Sequence, residues 1–567
     1  MIQYFYPWLK LDNLNSFVVL AIGLFSVLTI IYSLGFMNPV RNTESAKALV
    51  SNGVKGRRGL IQYYAYIILT AAISIGAVLS NNLILLLVFW GFLGLTLYLL
   101  INMGDDASSI AKKTFIIVGG SDALMLLGIG IIYYLTGTLK MDSIKLEFNN
   151  GLTVLAYLCI AVACFAKAGA MPFHSWIPDC AKHAPVPVVA YLPASLDKLL
   201  GIYLLARISL DLFVMNEALN IFLMLIGAFT IIAAVMMALV QHNMKRLLGY
   251  HAVSQVGYMV LGIGTGNPIG IAGGIFHMLN NSIYKQDLFL ISGNVEKKIG
   301  TTDLDKLGGL AKTMPLTYIS ALIASLSISG VPPFNGFVSK WMVYQGLINN
   351  LQLTTYRLRL ASVLCLVAAM FGSGLTLASF MKLIHATFLG QSKDSRPKES
   401  SDVSWTMWLP CLILAIICVI FGVFAYEVPL KYFILPAVKG VTFIGTWYAG
   451  LSTLLVIIGL VLGLLIFKLK GLRPTMRQDT AFVGGEAIDL KQDRVTGTEF
   501  YNTIKELRVL GAIYKRAEAG LFDIYEQGKN IVFGIGKSLQ YLHNGVLPTY
   551  LVWMLLGMMG LFMVLLL

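Results

Sequence analysis

Long continuous apolar runs, parted by short polar or basic stretches, follow one another along nearly the whole chain. A membrane-spanning helix takes about 20 apolar residues. Runs of this kind lie at 16–36, 61–79, 82–102, 114–136, 152–171, 187–207, 219–241 and 250–264. Further ones lie at 269–292, 316–349, 360–390, 406–425, 446–468 and 547–567. The pattern predicts an all-α polytopic membrane protein of about 14 transmembrane helices. A transmembrane β-barrel would show alternating apolar and polar positions in strands of about ten residues, and these runs are continuous. The 316–349 run is too long for one straight helix, and Val331-Pro332-Pro333-Phe334-Asn335-Gly336 must interrupt its backbone ladder.

The connecting loops predict the orientation. Loop 37–60 carries Arg41, Lys47, Lys55, Arg57 and Arg58 against Glu44, and loop 103–113 ends on Lys112 and Lys113. Loop 242–249 holds Lys245 and Arg246, and loop 293–315 holds Lys297, Lys298, Lys306 and Lys312. The even-numbered loops are weakly charged or balanced, apart from Arg357 and Arg359. Odd loops are therefore expected on the cytoplasmic side of the cell membrane, with both termini on the outer side. Ile2–Lys10 has no basic n-region, so a removable signal peptide is not expected.

Residues 469–546 break the apolar pattern. Arg473, Arg477, Lys491, Arg494, Lys505, Arg508, Lys515 and Arg516 lie here. From Glu499 to about Leu542, Ile504, Leu507, Leu510, Ile513, Tyr514, Leu521, Ile524 and Tyr525 recur at helical spacing. That predicts an amphipathic helix lying along a surface, followed by a final span. A proline-broken stretch, Lys167-Ala-Gly-Ala-Met-Pro172, falls in the fourth of the five spans 61–207, and Pro332-Pro333 falls in the fourth of the next five, 219–390. Broken helices at matched places in two halves are a mark of inverted-repeat transporters.

Composition agrees with the pattern: of 567 residues, 57% are hydrophobic and 12% charged, against about 25% charged in soluble domains. The net charge of +14 is what basic cytoplasmic loops produce, without appeal to nucleic acid. Cys159, Cys164, Cys180, Cys365, Cys411 and Cys418 form no CxxC and sit mostly in apolar runs, so neither a metal site nor a disulfide framework is indicated.

Against this background, ionisable residues inside the runs draw a functional reading, because each is expensive in a bilayer. They are Asp122, Lys167, Asp197 and Lys198, then His277 and Lys285 with Asn281 between them on roughly one helical face, with Asp287 close behind. Lys340, Lys382 and His385 follow; for Lys340 and Lys382 a position at the headgroups and a functional one weigh equally, and His385 is read as interfacial. A desolvated lysine beside a movable carboxylate can load and release a proton near neutral pH, and a histidine can pass one between its two nitrogens. No P-loop, Ser/His/Asp signature, CxxCH or metal-spaced His/Cys set offers another chemistry.

Three stretches resemble the antiporter-like subunits of complex I and its relatives. The first is Lys167-Ala-Gly-Ala-Met-Pro-Phe-His-Ser-Trp-Ile-Pro-Asp179, with Ala184-Pro-Val-Pro-Val188 and Gly201–Arg207. The second is Asn243-Met-Lys-Arg-Leu-Leu-Gly-Tyr250 with Ser254–Tyr258, and the third runs from Phe276-His277 through Tyr284-Lys285 to Gly330–Lys340. The resemblance covers roughly residues 60–390. The family embraces Mrp-type cation/proton antiporters, pumping subunits of NADH:quinone oxidoreductase, and subunits of energy-converting hydrogenases and their sulfur-reducing relatives.

It implies two inverted five-helix repeats, 61–210 and 219–390, around a polar axis that carries protons. They would be flanked by an N-terminal span and loop (1–60), accessory helices (406–468), the amphipathic lateral helix (490–546) and an anchor (547–567). Carried over residue by residue, Lys167 matches the broken-helix lysine, Lys198 the lysine on the next helix, His277 and Lys285 the central relay, and Lys340 the terminal lysine. Asp122 matches an acidic position of some members. The implied partners are sister antiporter-like membrane subunits, lipid, and peripheral redox subunits. Those redox subunits, not this chain, would hold the iron–sulfur clusters (and nickel–iron in a hydrogenase).

Departures point away from an ordinary NADH:quinone oxidoreductase. Gly91 stands where members usually have a glutamate after Phe89-Trp90, which leaves Lys167 without its expected partner unless Asp122 replaces it. Asn281 stands where a second histidine is usual, and the region around Pro193 and Asp197 differs too. Three functions follow as expectations: a proton- or sodium/proton-translocating subunit of a hydrogenase-type or sulfur-reducing complex, a subunit of a non-redox cation/proton antiporter, or a structural subunit with a partly inactive channel.

Overall fold

The computed structural model describes residues 8–37, 56–352, 355–390, 402–443, 448–469 and 498–566. Arg41, Glu44, Lys47, Lys55, Arg473, Arg477, Lys491 and Arg494 lie outside the described residues, as do the side chain of Arg57 and the start of the 490–546 segment. The chain divides into two units, Met1–Leu507 and Arg508–Leu567.

The first unit opens with α1 (Asn13–Phe36), α2 (Gly56–Leu79), α3 (Leu83–Ile101), α4 (Ser108–Thr136) and α5 (Gly151–Ala168). A short helix α6 (Trp176–His183) then precedes α7 (Val186–Tyr191), a π-helical turn at Leu192–Leu196, and α8 (Asp197–Arg207). Next come α9 (Glu217–Leu239), α10 (Met244–Gly264) and α11 (Pro268–Ile299). The unit ends with α12 (Pro315–Ser329), α13 (Asn335–Asn350), α14 (Tyr356–Ile384), α15 (Trp405–Val423), α16 (Ala449–Leu469) and α17 (Asn502–Glu506). A two-residue parallel ladder, Leu146–Glu147 with Phe213–Val214, ties the α4–α5 connection to the end of α8.

Among the described residues, ten helices are long and apolar enough to cross a membrane. Some of the remaining helices of the pattern, α12 among them, are too short for that measure, and α11 falls outside it for a different physical reason. In α11, every residue from Ile269 to Val295 is buried, and the helix carries His277, Asn280, Asn281, Lys285, Gln286, Asp287 and Asn294. A helix that touches no lipid need not be apolar all round, because neighbouring helices satisfy its polar groups. It packs against α10, α12, α13, α15, α7 and α8, and so forms the centre of the unit. Large apolar side chains such as Leu20, Phe92, Leu126, Phe229, Val367 and Phe371 are exposed on the surrounding helices, as a lipid-facing surface requires. The chain is an all-α, multi-pass membrane protein.

The interruption expected inside 316–349 lies between α12 and α13, where Gly330 (φ +80°) ends α12 in a left-handed cap. Some helices overrun the apolar pattern. α4 begins at Ser108, so Lys112 and Lys113 are helical and not in a loop, and Lys113 Nζ pairs with Asp179 at 2.8 Å. α10 starts at Met244, capped by Asn243, and Lys245 pairs with Glu296 at 2.9 Å.

The second unit holds α18 (Arg508–Glu518), α19 (Ile524–Leu542) and α20 (Leu547–Leu566). The single amphipathic helix expected from Glu499 to Leu542 is instead divided. Leu507 is extended, Gly520 has φ +78°, and Asp523 caps a fresh start by accepting from the Tyr525 amide. Apolar spacing continues across both breaks, which is why periodicity alone did not mark them.

Candidate functional site: a buried row of lysines and acids

α5 ends one residue after Lys167, where Gly169 (φ +83°) turns the chain. Lys167 is completely buried, and its Nζ is 3.5 Å from Asp197 Oδ1 and 5.3 Å from the centre of the Trp90 ring. The expectation that Lys167 lacks a partner is thus corrected: the carboxylate arrives from α8. Gly91 is exposed, and a Cβ built on it would meet nothing within 4 Å, so its position looks away from Lys167. Asp122, on α4, is half-buried, lies against Gly94 of α3, and acts electrostatically on Lys167 and Trp90. Lys167 therefore lies between two acids.

Asp197 and Lys198 are adjacent because α8 begins directly after the π-helical turn. Pro193 cannot donate to the ladder, and the turn leaves its own carbonyl accessible. Lys198 Nζ, fully buried, donates to that carbonyl at 2.5 Å. Ser195 fastens the turn to α11 by donating to the Ser282 carbonyl at 3.1 Å.

Lys285 continues the row within electrostatic reach of Lys198, with Nζ donating to the Leu248 carbonyl of α10 at 3.1 Å and 5.5 Å from the Phe380 ring. His251 of α10 follows, buried against Phe380, with Nε2 2.7 Å from Ser379 Oγ. The charges of Lys285, Lys340 and Lys382 all act on it. His277 is held at both ring nitrogens, Nδ1 2.9 Å from Ser339 Oγ and Nε2 3.1 Å from Gln255 Oε1, with the Tyr284 hydroxyl 3.3 Å away. Asn281, one turn on, is buried with neither side-chain polar atom partnered in the protein.

Lys340 and Lys382 do not reach the headgroups. Lys340 is 2% exposed and donates to the Ile328 carbonyl at 2.9 Å, at the end of α12. Lys382 is 4% exposed and donates to the Leu239 and Gln241 carbonyls at 2.6 and 2.8 Å, at the end of α9. Each ammonium meets the carbonyls and negative dipole end of a helix terminus, which stabilises a buried charge, and the Asp305 carboxylate also acts on Lys382. His385 is exposed and stands apart from the row.

The fold therefore brings Asp122, Lys167, Lys198, Lys285, His277 and Lys340 into one electrostatically connected series. Asp197, Lys382 and His251 complete it. Sequence reasoning left His251 out, although it directly follows the Asn243–Tyr250 stretch, because one histidine in an apolar helix carries no periodic signal. Burial of so many ionisable groups is costly for stability alone.

A transmembrane-family model described as NADH:quinone oxidoreductase/Mrp antiporter matches residues 80–384, more than half of the chain and all of the row. The chain belongs to this family. It is 33% identical over 383 residues to the Na(+)/H(+) antiporter subunit A1 of Staphylococcus epidermidis, across 64% of this chain and 48% of that protein. It is 28% identical over 434 residues to hydrogenase-4 component B of Escherichia coli, across 74% of this chain and 62% of that protein. The chain thus spans about half the length of the first of these relatives. Among solved structures, a chain of the membrane-bound sulfane sulfur reductase, an archaeal respiratory membrane complex, shares the fold with TM-score 0.76 and 22% identity. That match covers 98% of this chain and 89% of the other.

Proposed function

We propose that the chain is a proton-translocating, antiporter-like subunit of a multi-subunit membrane redox complex related to complex I, of the hydrogenase or sulfur-reducing type. Its place is the cytoplasmic membrane, both termini outside, among sister membrane subunits and peripheral iron–sulfur subunits. The observation that carries this reading is the buried Lys167–Asp197 pair set in a row running on to Lys340. Asp122, Lys167, Lys198, Lys285, His277 and Lys340 hold and pass the proton. Lys167 gives up or takes a proton as the charge on Asp197 and Asp122 changes, since opposite charge nearby favours the ammonium and burial opposes it. The two broken helices, ending after Lys167 and beginning before Lys340, are the matched elements of two inverted repeats. The redox type is supported by the near-complete fold correspondence with the sulfur-reductase chain.

A non-redox cation/proton antiporter subunit is the second reading, favoured by 33% identity to a Na(+)/H(+) antiporter subunit. Co-purification from native membranes in gentle detergent separates the two. Iron–sulfur partners are expected with the tagged chain, and nickel narrows them to a hydrogenase. Small hydrophobic partners without iron would overturn the redox reading. In vesicles containing the complex, Lys167→Ala and Lys340→Ala are each expected to lower proton movement per turnover while assembly persists. Undiminished movement in both would remove the relay.

A further inference from the structure

The row does not use every buried acid of α11. Asp287 is fully buried, two residues after Lys285 and therefore turned away from it around the helix. Neither carboxyl oxygen has a hydrogen-bond partner in good geometry. The titratable groups of this neighbourhood are the thiols of Cys411 and Cys418 on α15, which in turn act on Tyr32 of α1 and Tyr284 of α11, and Asp402 acts on Cys411. The Cys411 thiol acts on Asp287 but donates to the Met407 carbonyl at 3.4 Å. No cationic side chain is among the groups acting on Asp287.

Polar groups lead from Asp287 in two directions. Towards the end of the helices where α12 begins, Asn294 lies seven residues along the same face of α11. Its Nδ2 donates to Cys411 Sγ at 3.7 Å and to Thr317 Oγ1 at 3.3 Å. Thr317 in turn donates to Asp402 at 2.6 Å, and Asp402 is partly exposed just before α15. Towards the row, the Cys418 thiol touches Ser327 and Asn335, and Ser327 hydrogen-bonds Asn335. Ser339 donates to the Asn335 carbonyl at 3.5 Å and lies 2.9 Å from His277 Nδ1. Four helices, α11, α12, α13 and α15, thus supply a polar line from a partly exposed acid, past a solitary buried one, to the relay histidine.

We propose that Asp287 is a further proton-binding carboxyl of the chain, filled from the Asp402 end past Thr317, Asn294 and Cys411 and joined to the row through Ser327, Asn335, Ser339 and His277. This rests on the reading of the chain as a proton carrier. The ligand is a proton and not a hard cation, because sodium and its like need several oxygen ligands and Asp287 is faced by two thiols. An unpaired carboxylate in this setting is costly, and taking a proton removes the charge. Asn294 cannot ionise. The unpartnered Asn294 Oδ1 and Ser320 Oγ are groups that a water carrying the proton past it would bond.

The test uses the whole complex in its native membrane. Dicyclohexylcarbodiimide modifies carboxyl groups that are protonated in apolar surroundings, and peptide mass spectrometry reads the site. Modification of Asp287 at neutral pH, absent in D287N, is expected, and an unmodified Asp287 overturns the proposal. In inside-out vesicles, D287N is expected to lower proton movement per turnover by about a hundredfold, the low end for positioned proton-transfer groups. T317V, which keeps the shape and removes the hydroxyl, is expected to lower it in the same direction and provides the measurement if D287N fails to assemble. Wild-type movement in both, with assembly intact, overturns the branch. Loss of the broader reading would appear separately, as wild-type movement in the Lys167 and Lys340 variants, and leaves the carbodiimide result standing.

Discussion

Lys167 takes its carboxylate from a helix other than the one where the resemblance implied it. Asp197, placed by the π-helical turn, is 3.5 Å away, while Gly91 opens outward. D197N removes the charge and keeps the size, leaving an unpaired buried ammonium. It is expected to reduce proton movement by one to two orders of magnitude, measured in vesicles of the complex. Gly91→Glu in the same background is expected not to restore it, since a side chain there starts away from Lys167. Recovery by G91E would reverse this assignment.

At the head of α1, Asp12 accepts a two-pronged contact from Arg207, at 2.8 and 3.0 Å. Burial raises the Asp12 carboxyl, but the hydrogen bonds and charge of Arg207 outweigh it, and the net displacement is below the ordinary carboxylate range. A carboxyl lowered in the folded state contributes stability that is complete above its unfolded value near 3.9 and is lost as pH falls through the lower folded value. D12N is therefore expected to lower stability by about 1–2 kcal/mol at neutral pH. The gap to wild type should close below about pH 3.9, as followed by thermal melting in detergent. A gap independent of pH would mean that the contact is not what the charge provides.

At the scale of elements, helix ends and irregular turns supply the hydrogen-bond acceptors of the buried lysines. Lys340 sits on the end of α12, Lys382 on the end of α9, and Lys198 on the carbonyl left accessible at Pro193. Gly330 links the first of these to backbone geometry. Its φ of +80° suits glycine, and a Cβ there would lie 3.0 Å from Lys340 Cδ. Gly330→Ala is expected to lower stability by about 1–2 kcal/mol and to reduce proton movement as well, because Lys340 must shift. A melting loss without a transport loss would separate the cap from the relay. Elements were legible where periodicity was unbroken: the apolar runs became helices, and Pro332-Pro333 marked a true break. They were illegible where polarity and burial diverged. α11 reads as a poor span because it is polar, and it can be polar because it touches protein on all sides.

Across the whole molecule, the unit Met1–Leu507 has a continuous buried interior, whereas among the described residues of Arg508–Leu567 only Gly511 and Tyr514 are buried in their helices. An amphipathic stretch and an apolar helix that bury so little of themselves must be covered by lipid or protein. Deletion of Arg508–Leu567 is expected to leave the first unit folded and inserted while weakening its retention in the complex. Native gel migration and melting of the truncated chain check both parts. An intact complex without the segment would assign it no assembly role.

By itself the sequence determined the membrane class, the position of most helices and the identity of the titratable residues, because apolar periodicity and the expense of buried charge are local, readable properties. It also carried, through its motifs, the family. Only tertiary structure decided which acid meets which base. Asp197 stands 3.5 Å from Lys167, His251 lies within electrostatic reach of Lys285 and Lys340, and Asp287 is set among thiols, although these residues are distant in the chain or turned to opposite faces of a helix. Those separations follow from a bulged turn, a helix break and the crossing of α11 with its neighbours, none of which one-dimensional spacing encodes.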